Sequence, residues 1–195
     1  KTLTPGTRAC SVPMLAGPDG VISVGYSNDA PGGYGEQMLL TDGMLLPVPD
    51  GLPTDMAALT EPMAVGYHAV EKARIEGDEI PLVVGCGPVG LAVITALKLK
   101  GLGPIIVADY SGARRALAEK LGADVVIDPA EHSPYGSWQA AAEARASELD
   151  VPPNPLTGGV TLPQAVYFEC VGVPGVIDQM MLGAPSATRI VVVGV

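Results

Sequence analysis

The chain has 195 residues, 48% hydrophobic and only 16% charged, with 25 glycines, 19 prolines and a formal net charge of −10. So apolar a chain is not intrinsically disordered, glycines without a three-residue period exclude collagen, and this length buries roughly 70% of the unfolded surface, enough for one domain or one and a half. The acidic balance, with no basic cluster beyond Arg114-Arg115, argues against a nucleic-acid partner and gives no attraction to anionic membranes.

Residues 1–52 are rich in glycine, proline and short alternating runs. Val21-Ile22-Ser23-Val24 and the run from Tyr34 to Thr41 read as strands between the turns at 17–20 and 28–33. A helix is expected from Thr54 to about Gly77, capped by Thr54-Asp55, with Leu59, Met63, Tyr67 and Val70 on its apolar face. His68 on that helix reads as a packed core residue. From Ile80 the pattern becomes strictly alternating. Strands are expected at 82–84, 105–108, 125–127, 165–168 and 190–193, and helices at 89–100, 112–121, 137–149 and 176–182. Apolar strands alternating with helices imply an α/β fold with a doubly wound parallel sheet. The uncharged stretch from Ile80 to Leu97 is long enough to span a bilayer, but Pro81, Gly85, Gly87, Pro88 and Gly90 make it a strand, a turn and a helix start. Trp138, Ala142 and Leu149 mark one helical face, and His132 reads as solvated. The proline-rich segment at 152–159 reads as an exposed loop.

Cys10, Cys86 and Cys170 are too few and scattered for a disulfide framework, which fits a reducing cytoplasm. The start at Lys1 with no apolar leader, and the end at Val195 inside an apolar run, are read as the ends of a fragment.

The informative segment is Leu82-Val83-Val84-Gly85-Cys86-Gly87-Pro88-Val89-Gly90. G-x-G-x-x-G is weak alone, but here it follows a strand, opens a helix, and precedes Asp109 by nineteen residues at the end of the next strand. Gly85 permits a tight turn, Gly87 lets the backbone approach a diphosphate, and Gly90 allows close helix–sheet packing. Pro88 and Val89 open the helix whose N-terminal N–H groups would receive the phosphates. Asp109 would accept from the adenosine ribose and repel a 2′-phosphate, favouring NAD over NADP. The competing reading is a glycine turn that merely packs a helix, with a solvated Asp109. Cys86 in the turn reads as a packing residue rather than a reactive thiol.

Nearly the whole chain resembles the zinc-dependent medium-chain alcohol and polyol dehydrogenases of the sorbitol and butanediol dehydrogenase type. The likeness rests on Pro5-Gly6-Thr7-Arg8-Ala9, Gly32-Gly33-Tyr34-Gly35-Glu36, Leu52-Pro53-Thr54-Asp55-Met56-Ala57-Ala58-Leu59, the segment Glu61 to Val70, Phe168-Glu169-Cys170-Val171-Gly172 and Ile190 to Val195. The resemblance implies that residues 1–75 are part of a β-rich GroES-like catalytic domain with a linking helix. Residues 76–195 would then be a Rossmann domain truncated at its C-terminus. It implies Glu61 as a ligand of a catalytic zinc, Arg114 at the adenosine ribose, and Val171, Val193 and Gly194 at the cofactor. Its activity would be hydride transfer between a secondary alcohol or polyol and NAD, or ketone reduction in reverse, in a homo-oligomer.

Two departures qualify this. The family's catalytic cysteine and Gly-His-Glu motif would precede Gly6, so the catalytic zinc is expected only in the full-length protein. Only Cys10 stands between Arg8 and Gly32, so no structural zinc is expected. The alternatives are a zinc-free quinone- or enoyl-reductase-like member, and a fragment that binds dinucleotide without activity. Glu61-Pro62 weighs against the zinc-free reading.

Overall fold

The computed structural model describes residues 3–155 and 158–194; Lys1 and Val195, the ends noted above, lie outside the described residues. The chain forms two compact units, Lys1–Thr60 and Glu61–Val195.

In the first unit β1 (Ala9–Ser11), β2 (Met14–Gly17), β3 (Gly20–Ser23) and β4 (Leu45–Pro47) make two small antiparallel ladders, β1 with β4 and β2 with β3. Pro47 ends an edge strand, where its missing N–H breaks no ladder. The strand expected from Tyr34 to Thr41 does not form. Gly35 N–H turns back to the Gly32 carbonyl, and Tyr34 and Leu39 lie exposed. A strand is stable only when another chain segment takes up its backbone groups, and among the described residues none pairs with this one.

The helix expected from Thr54 is divided into α1 (Thr54–Ala57) and α2 (Thr60–Ala73). The Thr60 hydroxyl donates back to the Ala57 carbonyl at 2.6 Å, a side-chain bond that competes with a continuous helix. Thr54-Asp55 provides no cap: Pro53 is the N-cap, and Asp55 accepts from the neighbouring Met56 N–H. The buried face of α2 is Gly66, Ala69, Val70 and Ala73, while Leu59, Tyr67 and His68 are exposed. The correction, which removes His68 from the core, has a steric cause. A Cβ on Gly66 would come within 2.6 Å of Ala92, so the small-residue stripe is the one that docks.

The second unit continues as β5 (Ile80–Val84), α3 (Pro88–Leu99), β6 (Ile106–Ala108), α4 (Gly112–Lys120), β7 (Val125–Ile127), α5 (Pro134–Glu148), β8 (Ala165–Glu169), α6 (Val176–Gly183) and β9 (Arg189–Val192). All five strands are parallel, in the order β7-β6-β5-β8-β9. Successive strands step away from β5 on one side, then return to its other side, so the order reverses between β5 and β8. Val83, Val107, Val166 and Phe168 point into one apolar layer with α2, α3 and α4. Ile80, Leu82, Ile106 and Tyr167 point into the other, under Trp138, Ala142 and Met180 of α5 and α6. Strands buried on both faces explain their unbroken apolar sequence. Helix α5 starts three residues before the expected Ser137, because Ser133 caps it by accepting from Gly136 N–H and Pro134 fits its first position. Trp138 and Ala142 are buried as expected, but Ala146, not Leu149, continues their stripe. No described helix is long and apolar enough to cross a membrane.

Arg189 at the start of β9 fastens the lower end of the sheet. Its Nη1 donates to Glu79 Oε1 at 2.7 Å, its Nη2 pairs with the other carboxylate oxygen, and its Nε donates to the Ala73 carbonyl at 2.9 Å. The guanidinium holds the Glu79 carboxyl below the usual carboxylate range. A carboxylate whose folded pKa is depressed stabilises above its unfolded pKa, and that stability is lost as pH falls through the folded value. Glu79→Gln should therefore lower stability by about 2 kcal/mol at pH 7. The deficit should shrink as pH falls below about 4. Urea titrations at the two pH values, followed by the fluorescence of Trp138, check this.

Candidate functional site

Above the C-terminal ends of β5, β6 and β8, at the point where strand order reverses, lies a cleft of about 540 Å³. In open α/β sheets this is where ligands bind. Its lower edge is the glycine turn. Gly85 has φ +94°, a left-handed conformation open to glycine, and a Cβ there would meet Val171 Cγ2 at 2.8 Å and the Cys170 carbonyl at 2.9 Å. A Cβ on Gly90 would lie 1.9 Å from the Gly85 carbonyl oxygen. Gly87, by contrast, has nothing within 4 Å of a Cβ position, so its backbone is open to a ligand. Gly87 is the N-cap of α3 and Pro88 its first residue, and no side chain caps the end. The N–H groups of Val89 and Gly90 therefore lack intrahelical acceptors and carry the helix's partial positive charge. This arrangement fits a diphosphate.

Asp109 stands across the turn with its side chain only 9% exposed. Its Oδ2 accepts from Cys86 N–H at 2.8 Å and its Oδ1 from Ser111 N–H at 2.7 Å. An ionised carboxylate has about four acceptor positions, so capacity remains for a ribose hydroxyl. Arg114 Nη1 lies 3.8 Å from Asp109 Oδ2, and the side chain lines the cleft while remaining 58% exposed. Its neighbour Arg115 is a scaffold residue. It donates to the carbonyls of Asp109 and Tyr110 and pairs with Asp128 at 2.7 Å.

Glu169 at the top of β8 is a site-forming residue that sequence reading passed over. It is 2% exposed, and its Oε1 accepts from the N–H groups of Val171 and Gly172. Its carbonyl accepts from Val193 N–H and Gly194 N–H, both at 2.9 Å. A Cβ on Gly194 would come within 2.4 Å of Gly172 N and 2.7 Å of Glu169 Oε2. The signal available was a carboxylate ending an apolar strand next to the glycine-turn strand. Ser111, also missed, caps α4 by accepting from Arg114 N–H.

Gly85, Asp109, Arg114 and Val171 thus share one cleft, with Pro88, Val89 and Gly90 forming the helix turn beneath it and Gly194 packed against the Val171–Gly172 backbone. Val193 instead lines a second groove of about 690 Å³ with Ala64, His68 and Lys72. Glu61 is exposed on the first turn of α2 and is in neither cavity. Among the described residues no three His, Cys, Asp or Glu side chains are grouped to hold a metal. A catalytic zinc takes three protein ligands, so the described residues do not by themselves fit one. Cys86 is buried in the core, as its packing role requires. Burial, and then Asp109, push its thiol up to about 12. Burial, and then Glu169, push Cys170 to about 12 also.

A family model described as a zinc-binding dehydrogenase matches residues 88–195. The chain is 32% identical to an (R,R)-butanediol dehydrogenase of Neisseria gonorrhoeae over 167 residues, 84% of this chain and 42% of that protein. The crystal structure of 2R,3R-butanediol dehydrogenase from Bacillus subtilis superposes on 99% of this chain with a TM-score of 0.71 and 29% identity, covering 53% of its own length. A putative zinc-binding dehydrogenase from Sinorhizobium meliloti 1021, bound to NADP, shares the fold over 100% of this chain and 56% of its own, with a TM-score of 0.75 and 23% identity. The chain thus spans about two fifths to just over half the length of these relatives.

Two thiols, that of the buried Cys86 and that of the half-buried Cys170, yield a direct check. With pKa values near 12, about one molecule in ten thousand carries either thiolate at pH 8. Iodoacetamide at pH 8 should leave Cys86 and Cys170 unmodified in the native protein and alkylate both after denaturation, as read by peptide mass spectrometry. Alkylation of either in the native state would contradict the protonated state.

Proposed function

We propose, since this chain belongs to the zinc-binding dehydrogenase family, that it supplies the dinucleotide-binding part of an oxidoreductase. The reaction is hydride transfer between a secondary alcohol or polyol and NAD. The observation that carries this is the junction of three features at the strand-order reversal: an open Gly87, an uncapped α3 N-terminus, and a nearly buried Asp109 fixed by Cys86 N–H. Each serves one part of the cofactor. Val89 and Gly90 N–H groups hold the diphosphate, Asp109 accepts from the adenosine ribose, and Arg114 packs over that ribose from the cleft rim. Asp109 repels a 2′-phosphate, which supports NAD over NADP. Arg114 tempers that repulsion, since its guanidinium lies 3.8 Å from the carboxylate.

Residues 1–75 are read as part of a GroES-like catalytic domain with α2 as the linking helix, and residues 76–195 as the dinucleotide-binding domain. Glu61 is assigned as one ligand of a catalytic zinc whose other donors lie outside the described residues. Such a zinc would supply Lewis-acid polarisation of the substrate hydroxyl. The relatives' names support a secondary alcohol, a vicinal diol among them, as the substrate class. The full protein is read as a cytoplasmic homo-oligomer, and solution sizing checks the assembly.

Titration calorimetry should give tighter binding of NAD than of NADP, and Asp109→Gly should erase or reverse that preference. Equal affinities in the unaltered protein would refute the role given to Asp109. The full-length enzyme should contain zinc and lose activity on chelation, with recovery when zinc is restored. Activity that survives chelation would instead favour the zinc-free reductase reading.

A further inference from the structure

The lining of the cleft combines two kinds of group. Asp109, Ser111 and Arg114 are polar. Tyr110, Pro129, Tyr135, Val173 and Val176 are aromatic or apolar, and Gln179 adds an amide. Aromatic and apolar groups in a concave site are the chemistry that a flat heteroaromatic base needs. Tyr110 follows Asp109 directly and is 75% exposed, so its ring is available to a ligand. Tyr135 comes from the first turn of α5 and is held from behind. Its ring lies 5.9 Å from that of Tyr167, and a Cβ on Gly183 would come within 2.4 Å of it. Burial first, and then the nearby Tyr110, push the Tyr135 phenol up.

Gln179 contributes the one side-chain amide among the described lining residues of the cleft. It is exposed on α6, one turn after Val176. A carboxamide presents an acceptor and a donor side by side. That pair matches the amino donor and N7 acceptor on the edge of adenine, and it cannot match a base presenting two acceptors there.

We propose that Gln179 is a specificity-determining residue that reads the adenine edge of the dinucleotide, while Tyr110 and Tyr135 flank the base as a sequence-blind aromatic slot. This rests on the dinucleotide reading above and deepens it. The hypoxanthine analogue of NAD, which carries a carbonyl in place of the amino group, isolates the amide's contribution. Titration calorimetry of the protein with NAD and with this analogue should show roughly tenfold tighter binding of NAD, the discrimination of one bidentate pair. Gln179→Leu, an exposed substitution, should bring the two affinities within about twofold of each other. Tyr110→Ala, at an exposed position that keeps the fold, should weaken both ligands by a similar factor, because stacking does not distinguish the bases. A tenfold preference that survives in Gln179→Leu overturns the inference. So does NAD binding with no base preference in the unaltered protein, and either result leaves the dinucleotide reading intact. Failure of the unaltered protein to bind either dinucleotide overturns that reading and the inference with it.

Discussion

The carbonyl oxygen of Gly85 and the α-carbon of Gly90 approach so closely that a Cβ on Gly90 would lie 1.9 Å from that oxygen. This contact fixes α3 on the end of β5, and the rest of the second unit depends on it. With α3 docked there, Val93, Ala96 and Leu97 enter the apolar layer against Val83 and Val107. The same docking brings the α3 N-terminus to the point where strand order reverses, so one steric constraint sets both the packing and the position of the anion-binding end. Gly66 extends it outward, since α2 can lie against Ala92 only without a side chain at that position.

Two carboxylates stabilise the loops around the reversal. Asp109 ties the glycine turn, through Cys86 N–H, to the start of the β6–α4 loop, through Ser111 N–H. Glu169 ties the loop after β8 to the end of β9 through its carboxylate and its carbonyl together. Buried carboxylates are tolerated when backbone N–H groups satisfy them. Here they preorganise the cleft and leave Asp109 acceptor capacity for a ligand. At the opposite end of the sheet, Arg189 and Glu79 join β9 to the C-terminal end of α2 and the entry to β5. Both ends of the sheet are therefore held by charged groups, while its faces are held by apolar burial.

The alternating pattern from Ile80 onward, and with it the parallel sheet, was legible in the sequence because strands buried on both faces must be apolar throughout. The glycine turn and Asp109 were legible for a different reason: their spacing is dictated by local geometry. Less of the first unit could be read. Tyr34 to Thr41 has the composition of a strand, but pairing depends on what other segments bring to it. The apolar face of the α1 and α2 segment was legible only in part: Val70 docks as expected, but Leu59 and Tyr67 are exposed, and Gly66, Ala69 and Ala73 complete the stripe that docks. Composition ranks large apolar residues as core, whereas close helix packing selects small ones.

Sequence by itself determined the order of elements, the doubly wound class, and the identity of the groups at the phosphate turn. Those follow from periodicity and from backbone conformations available to few residues. Tertiary structure alone decided which of two adjacent arginines faces the cleft. Arg115 is drawn back to Asp128 and two carbonyls, leaving Arg114 on the rim. It also decided that Tyr110, Tyr135 and Gln179, far apart in the chain, line one cleft. No local rule connects residues of the β6–α4 loop, α5 and α6. Their meeting depends on how the helices pack across the sheet.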